Sequence, residues 1–204
     1  MPNKPLFITG IGTGIGKTLI AAIVVEKLKA DYWKPIQSGD LDNSDTMKVQ
    51  SLVTNNKTIF HGEAYRLKQP YSPHKSAKLD NIVIDEQRII APKTNNQLII
   101  EGAGGLMVPL NDHCLLIDLI KQLDAEVILV SQNYLGSINH TLLSAEVLKQ
   151  RDIPIKGIIF NGDTNASSEE YILNYTGIPL LGNVPLLAEI TQLSVAEAGY
   201  YLTL

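Results

Sequence analysis

The sequence predicts an α/β fold, a mostly parallel sheet with helices on both faces, organised as a single domain over residues 1–204. Three observations predict it. Short apolar runs alternate along the chain with longer segments of helical period. The apolar runs are continuous rather than alternating with polar residues, as in strands buried on both faces. The first run is followed by a glycine-rich turn and then a helical segment, the start of a parallel βα unit. A chain of 204 residues can enclose one sizeable core. A hydrophobic content of 45% against 19% charged suits a sheet that is covered twice.

Taken in order, Leu6–Ile8 reads as the first strand, Gly10–Gly16 as the turn, and Lys17 opens a helix with no breaker before Ala30. A strand near Tyr32–Lys34 stops at Pro35, which disfavours a long central strand. Residues 39–45, GDLDNSD, form a polar loop before a helix over 45–53. Residues 54–80 lack periodicity and read as an irregular region with one short strand near Ile59, the kind of long loop that is usually functional or disordered. A helix is expected over 81–91. Leu98–Ile100 is a strand, with Glu101 at its carboxyl end and Gly102–Gly105 turning the chain. There follow a helix at Leu115–Leu123, a strand at 127–131, a loop at 132–137, a helix from Ile138 and a strand at Lys156–Phe160. A helix within 164–176, a short strand within 178–185 and a last helix over 192–199 complete the chain.

Composition excludes several classes of function. The net charge of −4 is spread without a basic block, so nucleic acid is not an expected partner. Cys114 is the only cysteine and lies in an apolar stretch, so it reads as a small buried hydrophobe, with no disulfide framework and no paired-cysteine metal site. No apolar run reaches the about 18 residues needed to cross a membrane. Lys4 is followed at once by a strand and a glycine loop rather than by a secretory leader, and the expected location is the cytoplasm.

The chemistry concentrates in LFITGIGTGIGKTLIAAIVVEKL, from residue 6. Strand, glycine-rich loop, Gly-Lys-Thr and helix make a phosphate-binding loop, and with it the P-loop NTPase fold. Residues Gly12, Thr13, Gly14, Ile15 and Gly16 expose successive backbone N–H groups, and the helix start adds its positive end. Lys17 places a point charge on the phosphates and Thr18 offers a hydroxyl to Mg²⁺. The loop is a variant, because the first glycine of the strict pattern would fall at Ile11 and the nearest is Gly10. A Rossmann dinucleotide loop is the weaker alternative, since the glycine spacing does not give G-x-G-x-x-G. Ligands of such sheets bind at the carboxyl ends of strands, where Lys34, Glu101 and Asn161 also fall. Thr18, Asp45 and Glu101 are the candidate Mg²⁺ ligands, direct or through water. Asp45 could instead cap a helix, as could Asn43 or Ser44. A carboxylate at the end of a buried strand, as at Glu101, is costly without a partner. Lys34 is either solvent-facing or a second cation beside Lys17, placed to stabilise a transferring phosphoryl group. His61, His74, His113 and His140 show no metal spacing, and His113 beside Cys114 gives no defined nucleophile–base geometry.

With these residues placed, the chain resembles the dethiobiotin synthetase family over nearly its whole length. The landmarks appear in order: TGIGTGIGKT (9–18), KPIQSG (34–39), NSD (43–45), SPHKSA (72–77), EGAGGLMVPL (101–110), LGSINHTLLS (135–144), FNGD (160–163) and PLLGNVP (179–185). The resemblance implies a homodimer that uses ATP and Mg²⁺ to join CO₂ to 7,8-diaminononanoate, releasing dethiobiotin, ADP and phosphate. It implies that Thr13, Lys17 and Thr18 handle the triphosphate and metal, and that Lys34 holds the carbamate and γ-phosphate. Ser38 would lie near the substrate nitrogens, and Gly104 and Gly105 would line the diamine's path. Asn161 would read the adenine edge, with Pro185 and Leu186 near the base. Gly136, Ser137, Ile138 and Asn139 would receive the substrate carboxylate from the neighbouring subunit. A Gly-Ser-x-Asn run ahead of an apolar helix presents free N–H groups, which suits that role on physical grounds too. Some members carry acidic residues where this chain has Gly12 and Gly14. Rival readings are another P-loop amidoligase, a small-metabolite kinase, or a nucleotide switch. A switch of the partition type would add a second lysine near Ile11 or Gly12, and the chain has none there.

Overall fold

The computed structural model describes residues 4–204. Its main sheet has seven strands: β1 (Leu6–Gly10), β2 (Asp31–Trp33), β4 (Phe60–His61), β6 (Leu98–Gly105), β7 (Glu126–Ser131), β8 (Ile155–Asn161) and β9 (Leu180–Val184). Their order is β4-β2-β6-β1-β7-β8-β9, and every pairing is parallel. Strand β1 is central, with Phe7 opposite Ile100 of β6 and Val127 of β7. A separate two-stranded parallel sheet pairs β3 (Ile36–Ser38) with β5 (Tyr65–Leu67).

Helices cover both faces, as the continuous apolar strands require. Helices α1 (Lys17–Leu28), α2 (Asp45–Leu52) and α7 (Gln192–Ala198) pack with Ile8, Ile99, Ile128 and Ile159 on one face. Helices α3 (Pro73–Leu79), α4 (Leu116–Gln122), α5 (Ser137–Gln150) and α6 (Ala166–Thr176) pack with Phe7, Ile100, Leu129 and Phe160 on the other. Neighbouring strand residues point to opposite faces, so each strand feeds both cores. Among the described residues no helix is long and apolar enough to cross a membrane.

Three expectations are corrected. The first concerns 81–91, which is not a helix; only Glu86–Arg88 forms a 3₁₀ turn. Asn81 adopts a left-handed conformation after α3, and the Tyr65 hydroxyl takes both backbone polar groups of Asp85. Helical geometry would need those groups for itself. The second is that the region 54–80 contains α3, which opens on Pro73 as its first residue, a position proline favours. The third is that Gly102–Gly105 do not end the strand. Strand β6 runs through them with a bulge, its register with β1 slipping between Glu101 and Gly105 and Gly104 left-handed at φ 70°, so Glu101 sits mid-strand, opposite Ile8. Gly102 allows this because a Cβ there would lie 2.7 Å from the ring of Phe7.

At the amino end of the sheet a fully buried carboxylate ties three segments together. Asp31 accepts from the Ile59 N–H at 3.0 Å, the Thr94 hydroxyl at 2.6 Å and the Asn96 amide at 3.1 Å. Burial pushes its pKa up, but these hydrogen bonds outweigh that and hold it below the usual carboxylate range. The folded state thus binds fewer protons than the unfolded state. The stabilisation is full above the unfolded pKa of about 3.9 and is lost as pH falls through the lower folded value. Asp31→Asn should cost about 2 kcal/mol at pH 7, by weakening charged hydrogen bonds in a buried setting. Urea denaturation should show the gap to the parent closing below pH 4, and a gap that is constant with pH would contradict the assignment.

Candidate active site

The phosphate loop, the end of β2 and the middle of β6 open onto one cleft of about 720 Å³ at the carboxyl side of the sheet. Strand order explains the convergence. Strand β6 lies between β2 and β1, so Lys34, just after β2, and Thr18, at the start of α1, reach Glu101 from its two flanks.

Glu101 is buried, yet it is fully engaged. It accepts from the Thr18 hydroxyl at 2.8 Å and the Lys34 ammonium at 3.0 Å on one oxygen, and from the Tyr32 hydroxyl at 2.8 Å on the other. Lys34 bridges onward to Asp45 Oδ2 at 2.7 Å. This buried lysine is therefore not solvent-facing. Burial alone would lower its pKa, but the charges of Glu101 and Asp45 raise it above the ordinary lysine value. Asp45 shows the converse. Burial favours its neutral form, and the Lys34 charge reverses this and holds the pKa below the usual range. Asp45 is the first residue of α2 and does not cap it. The Ser44 hydroxyl accepts from the Met47 N–H instead. The Gln37 side chain accepts from the Asp45 N–H at 3.2 Å and so fixes where α2 begins.

Within the phosphate loop, the Lys17 ammonium donates to the Gly12 carbonyl at 2.8 Å. Burial pushes its pKa down to about 8, against the opposing pull of Glu101. Gly16 has φ of 88°, a left-handed conformation that favours glycine, and a Cβ there would collide with the Asn161 side chain. Asn161, the last residue of β8, donates to the Ile15 carbonyl at 2.9 Å. The predicted base-reading residue is thereby tied directly to the loop that holds the phosphates.

Of the residues named from sequence, Thr13, Gly14, Gly16, Lys17, Thr18, Lys34, Ser38, Asp45, Glu101 and Gly104 line this one cleft. Gly12 stands behind it as the acceptor for Lys17, and the Ile15 side chain is buried in the core. Gly105 borders a separate hollow of about 290 Å³ with Met107, His140 and Leu143. Gly136, Ser137, Ile138 and Asn139 border another, of about 950 Å³, against the start of α6. Pro185 and Leu186 follow β9, and Leu186 is exposed. Sequence reasoning missed Tyr32, Gln37, Lys48 and Tyr71. The signal for Tyr32 was present: it precedes Lys34 by two, and so shares its side of an extended chain.

The donor set fits a hard divalent cation. The Thr18 hydroxyl and the carboxylates of Glu101 and Asp45 are oxygen donors of the kind such an ion takes, and the Lys34 ammonium between the carboxylates shows that the locus favours positive charge.

Comparison with known proteins decides the family. A family model described as an AAA domain matches residues 4–194. An ATP-dependent dethiobiotin synthetase of Christiangramia forsetii is 53% identical over 197 residues, 95% of each chain. That of Cytophaga hutchinsonii is 52% identical over 190 residues, 93% of this chain and 92% of the relative. The chain belongs to the dethiobiotin synthetase family. It is an enzyme, and ATP-dependent dethiobiotin synthesis is the activity for which these relatives are named. More distant structures share the P-loop fold alone. The septum site-determining protein MinD of Pyrococcus horikoshii, in complex with Mg-ADP, has a TM-score of 0.61 at 16% identity, covering 96% of this chain and 86% of that one. A ParA family ATPase of Chlorobium tepidum has a TM-score of 0.57 at 17% identity, covering 97% and 91%.

In a dethiobiotin synthetase arranged this way, removing Lys34 leaves Glu101 and Asp45 without the cation between them. Lys34→Met should lower stability by about 3 kcal/mol, the cost of an uncompensated buried charge. Millimolar Mg²⁺ should then restore part of the lost melting temperature, while shifting the parent much less. A variant that ignores Mg²⁺ in the melt would show that the carboxylates do not share a cation locus.

Proposed function

We propose that the enzyme carboxylates 7,8-diaminononanoate with CO₂ and closes the ring to dethiobiotin, converting ATP to ADP and phosphate. The supporting observation is the cleft itself, in which the phosphate loop, Lys34 and the substrate-facing Ser38 share one space. The proposed reaction needs no protein nucleophile, and the lysines and carboxylates that line that space suit catalysis by positioning and charge.

The reaction balances in three steps. One substrate amine attacks CO₂, loses a proton and becomes a carbamate. A carbamate oxygen then attacks the γ-phosphorus, and the bond to the leaving ADP oxygen breaks, giving a carbamic–phosphoric anhydride. The second amine attacks the carbonyl carbon, the C–O bond to phosphate breaks, the amine's proton passes to the departing phosphate, and the ring closes. Lys17 and Lys34 hold the phosphoryl oxygens as their charge redistributes, and Thr13 lies at the same phosphate end. Ser38 lines the cleft and its buried hydroxyl has no partner within the chain, so a rotation toward the cleft would let it accept from a substrate N–H. Thr18, Glu101 and Asp45 are the residues that would hold Mg²⁺, which when bound supplies neutralising charge to the triphosphate. One N–H of the Asn161 amide is given to the Ile15 carbonyl, which leaves the second N–H and the oxygen for a base. The oxygen would accept from the exocyclic amine of adenine, with Pro185 and Leu186 flanking the base.

The active unit in this reading is a homodimer in the cytoplasm, where ATP is available. Gly136–Asn139 open onto a hollow that shares no lining residue with the cleft, so a second copy of the chain is the natural route for bringing that helix start to a bound substrate. Met107 and Leu143 stand exposed beside the smaller hollow, giving apolar surface for a second copy to cover.

Phosphate release with ATP, Mg²⁺ and bicarbonate should depend on 7,8-diaminononanoate. Release at the same rate without the diamine would overturn the proposed reaction. Lys17→Ala should lower kcat by about 10²–10³, the usual loss for one electrostatic group at a transition state. The dimer reading has its own check, in which inactive Lys17→Ala and Asn139→Trp proteins are mixed. Recovery of part of the activity is expected, since hybrid dimers hold one intact composite site. No recovery, with subunit exchange demonstrated, would place each site within one chain.

A further inference from the structure

The two oxygens of Asp45 are held by two different lysines, and the contacts are unequal. Lys34 meets Oδ2 at 2.7 Å, is 5% exposed and is fixed from its other side by Glu101. Lys48, one turn further along α2, stands 3.5 Å from Oδ1 with a side chain 36% exposed. The same ammonium lies 3.8 Å from Oδ2 of Asp40, whose side chain is 71% exposed. Lys48 and Asp45 line the cleft, and Asp40 does not. One loosely held cation thus has two anchors, one inside the cleft and one outside it.

Formal charge gives this arrangement a purpose. Glu101 and Asp45 carry two negative charges; Lys34 sits between them and Lys17 is drawn to both from the phosphate loop. Lys48 is the cation that meets Oδ1 of Asp45. A divalent cation that took Asp45 Oδ1 would meet Lys48 as a like charge at close range, and Asp40 gives Lys48 a place to go.

We propose that Lys48 is a displaceable placeholder cation, resting on Asp45 while the cleft lacks a metal ion and passing to Asp40 when a divalent cation takes that oxygen. It is a positioning residue that acts through Asp45, and the inference rests on Asp45 being a metal ligand. Lys48 then sets how much divalent cation the enzyme needs, through competition within its own site.

Mn²⁺ titrated into the ADP-saturated protein, with free Mn²⁺ read by electron paramagnetic resonance, tests this without turnover. Lys48→Met should tighten Mn²⁺ binding about threefold, the scale of a partly exposed ion pair. Asp40→Asn should weaken it about twofold, because Lys48 loses its alternative anchor. Simple through-space charge predicts the same two signs, so the double variant decides. If Asp40 acts only by receiving Lys48, its effect vanishes in the Lys48→Met background; an undiminished Asp40 effect there overturns the placeholder. An unchanged affinity in Lys48→Met, with Asp45→Asn weakening Mn²⁺ binding, also overturns it and leaves the metal reading intact. An Asp45→Asn protein with parental Mn²⁺ affinity would defeat the metal reading, and this inference with it. Melting temperatures near the parent's are expected for the single variants, since both side chains reach solvent.

Discussion

A negative charge in the middle of a buried strand is the constraint around which this cleft is organised. Glu101 lies in β6 between β2 and β1, nearly sealed from solvent, where an unpaired carboxylate would cost several kcal/mol. It is tolerated because three elements each deliver a donor to it: Tyr32 within β2, Lys34 beyond it, and Thr18 at the head of α1. Lys34 in turn holds Asp45, and Asp45 begins α2. The phosphate loop, the second strand and the second helix are therefore aligned by one chain of charge-assisted contacts. Such contacts are stronger than neutral hydrogen bonds and more demanding in geometry.

The same chain of contacts separates what the sequence discloses from what it hides. The phosphate loop was legible because strand, glycines, Lys17 and Thr18 are contiguous and local sterics suffice to shape them. The parallel sheet followed from its continuous apolar runs. The partnership of Lys34 with Glu101 was not legible from residue types alone, since 67 positions separate them and only the strand order brings them together. Tyr32 escaped notice because a tyrosine in a short apolar strand looks like core, and its ring is indeed core while its hydroxyl is not. A helix was expected over 81–91, but Tyr65 competes for the backbone of Asp85 there. A tertiary contact thus overrode the local pattern. Helix α3 was missed for the opposite reason: its signal was one proline in a stretch dominated by turn-forming residues.

The glycines of β6 show how closely the two central strands must approach. A segment that reads as a glycine-rich turn stays in the sheet, bulged at Gly104, because the missing side chain of Gly102 makes room for Phe7 from β1. That keeps Gly102, Ala103 and Gly104 as the smooth wall of the cleft opposite the phosphate loop, with Val108 beyond them. Bulk at these positions would fill the space in which the chemistry is proposed to occur, and would also push β6 away from β1.

The unpartnered hydroxyl of Ser38 has a consequence for molecular discrimination. A buried polar atom with no partner raises the free energy of the protein that carries it, and a ligand that offers a matching group relieves that excess. In the proposed reaction, a compound with a methylene where the true substrate has nitrogen would fit the same volume yet leave the hydroxyl stranded. Rejection of this kind is far steeper than a hydrophobic pocket achieves against a ligand shortened by one carbon. The enzyme would thus tell a diamine from a monoamine of the same length more sharply than it tells two diamines of neighbouring length apart.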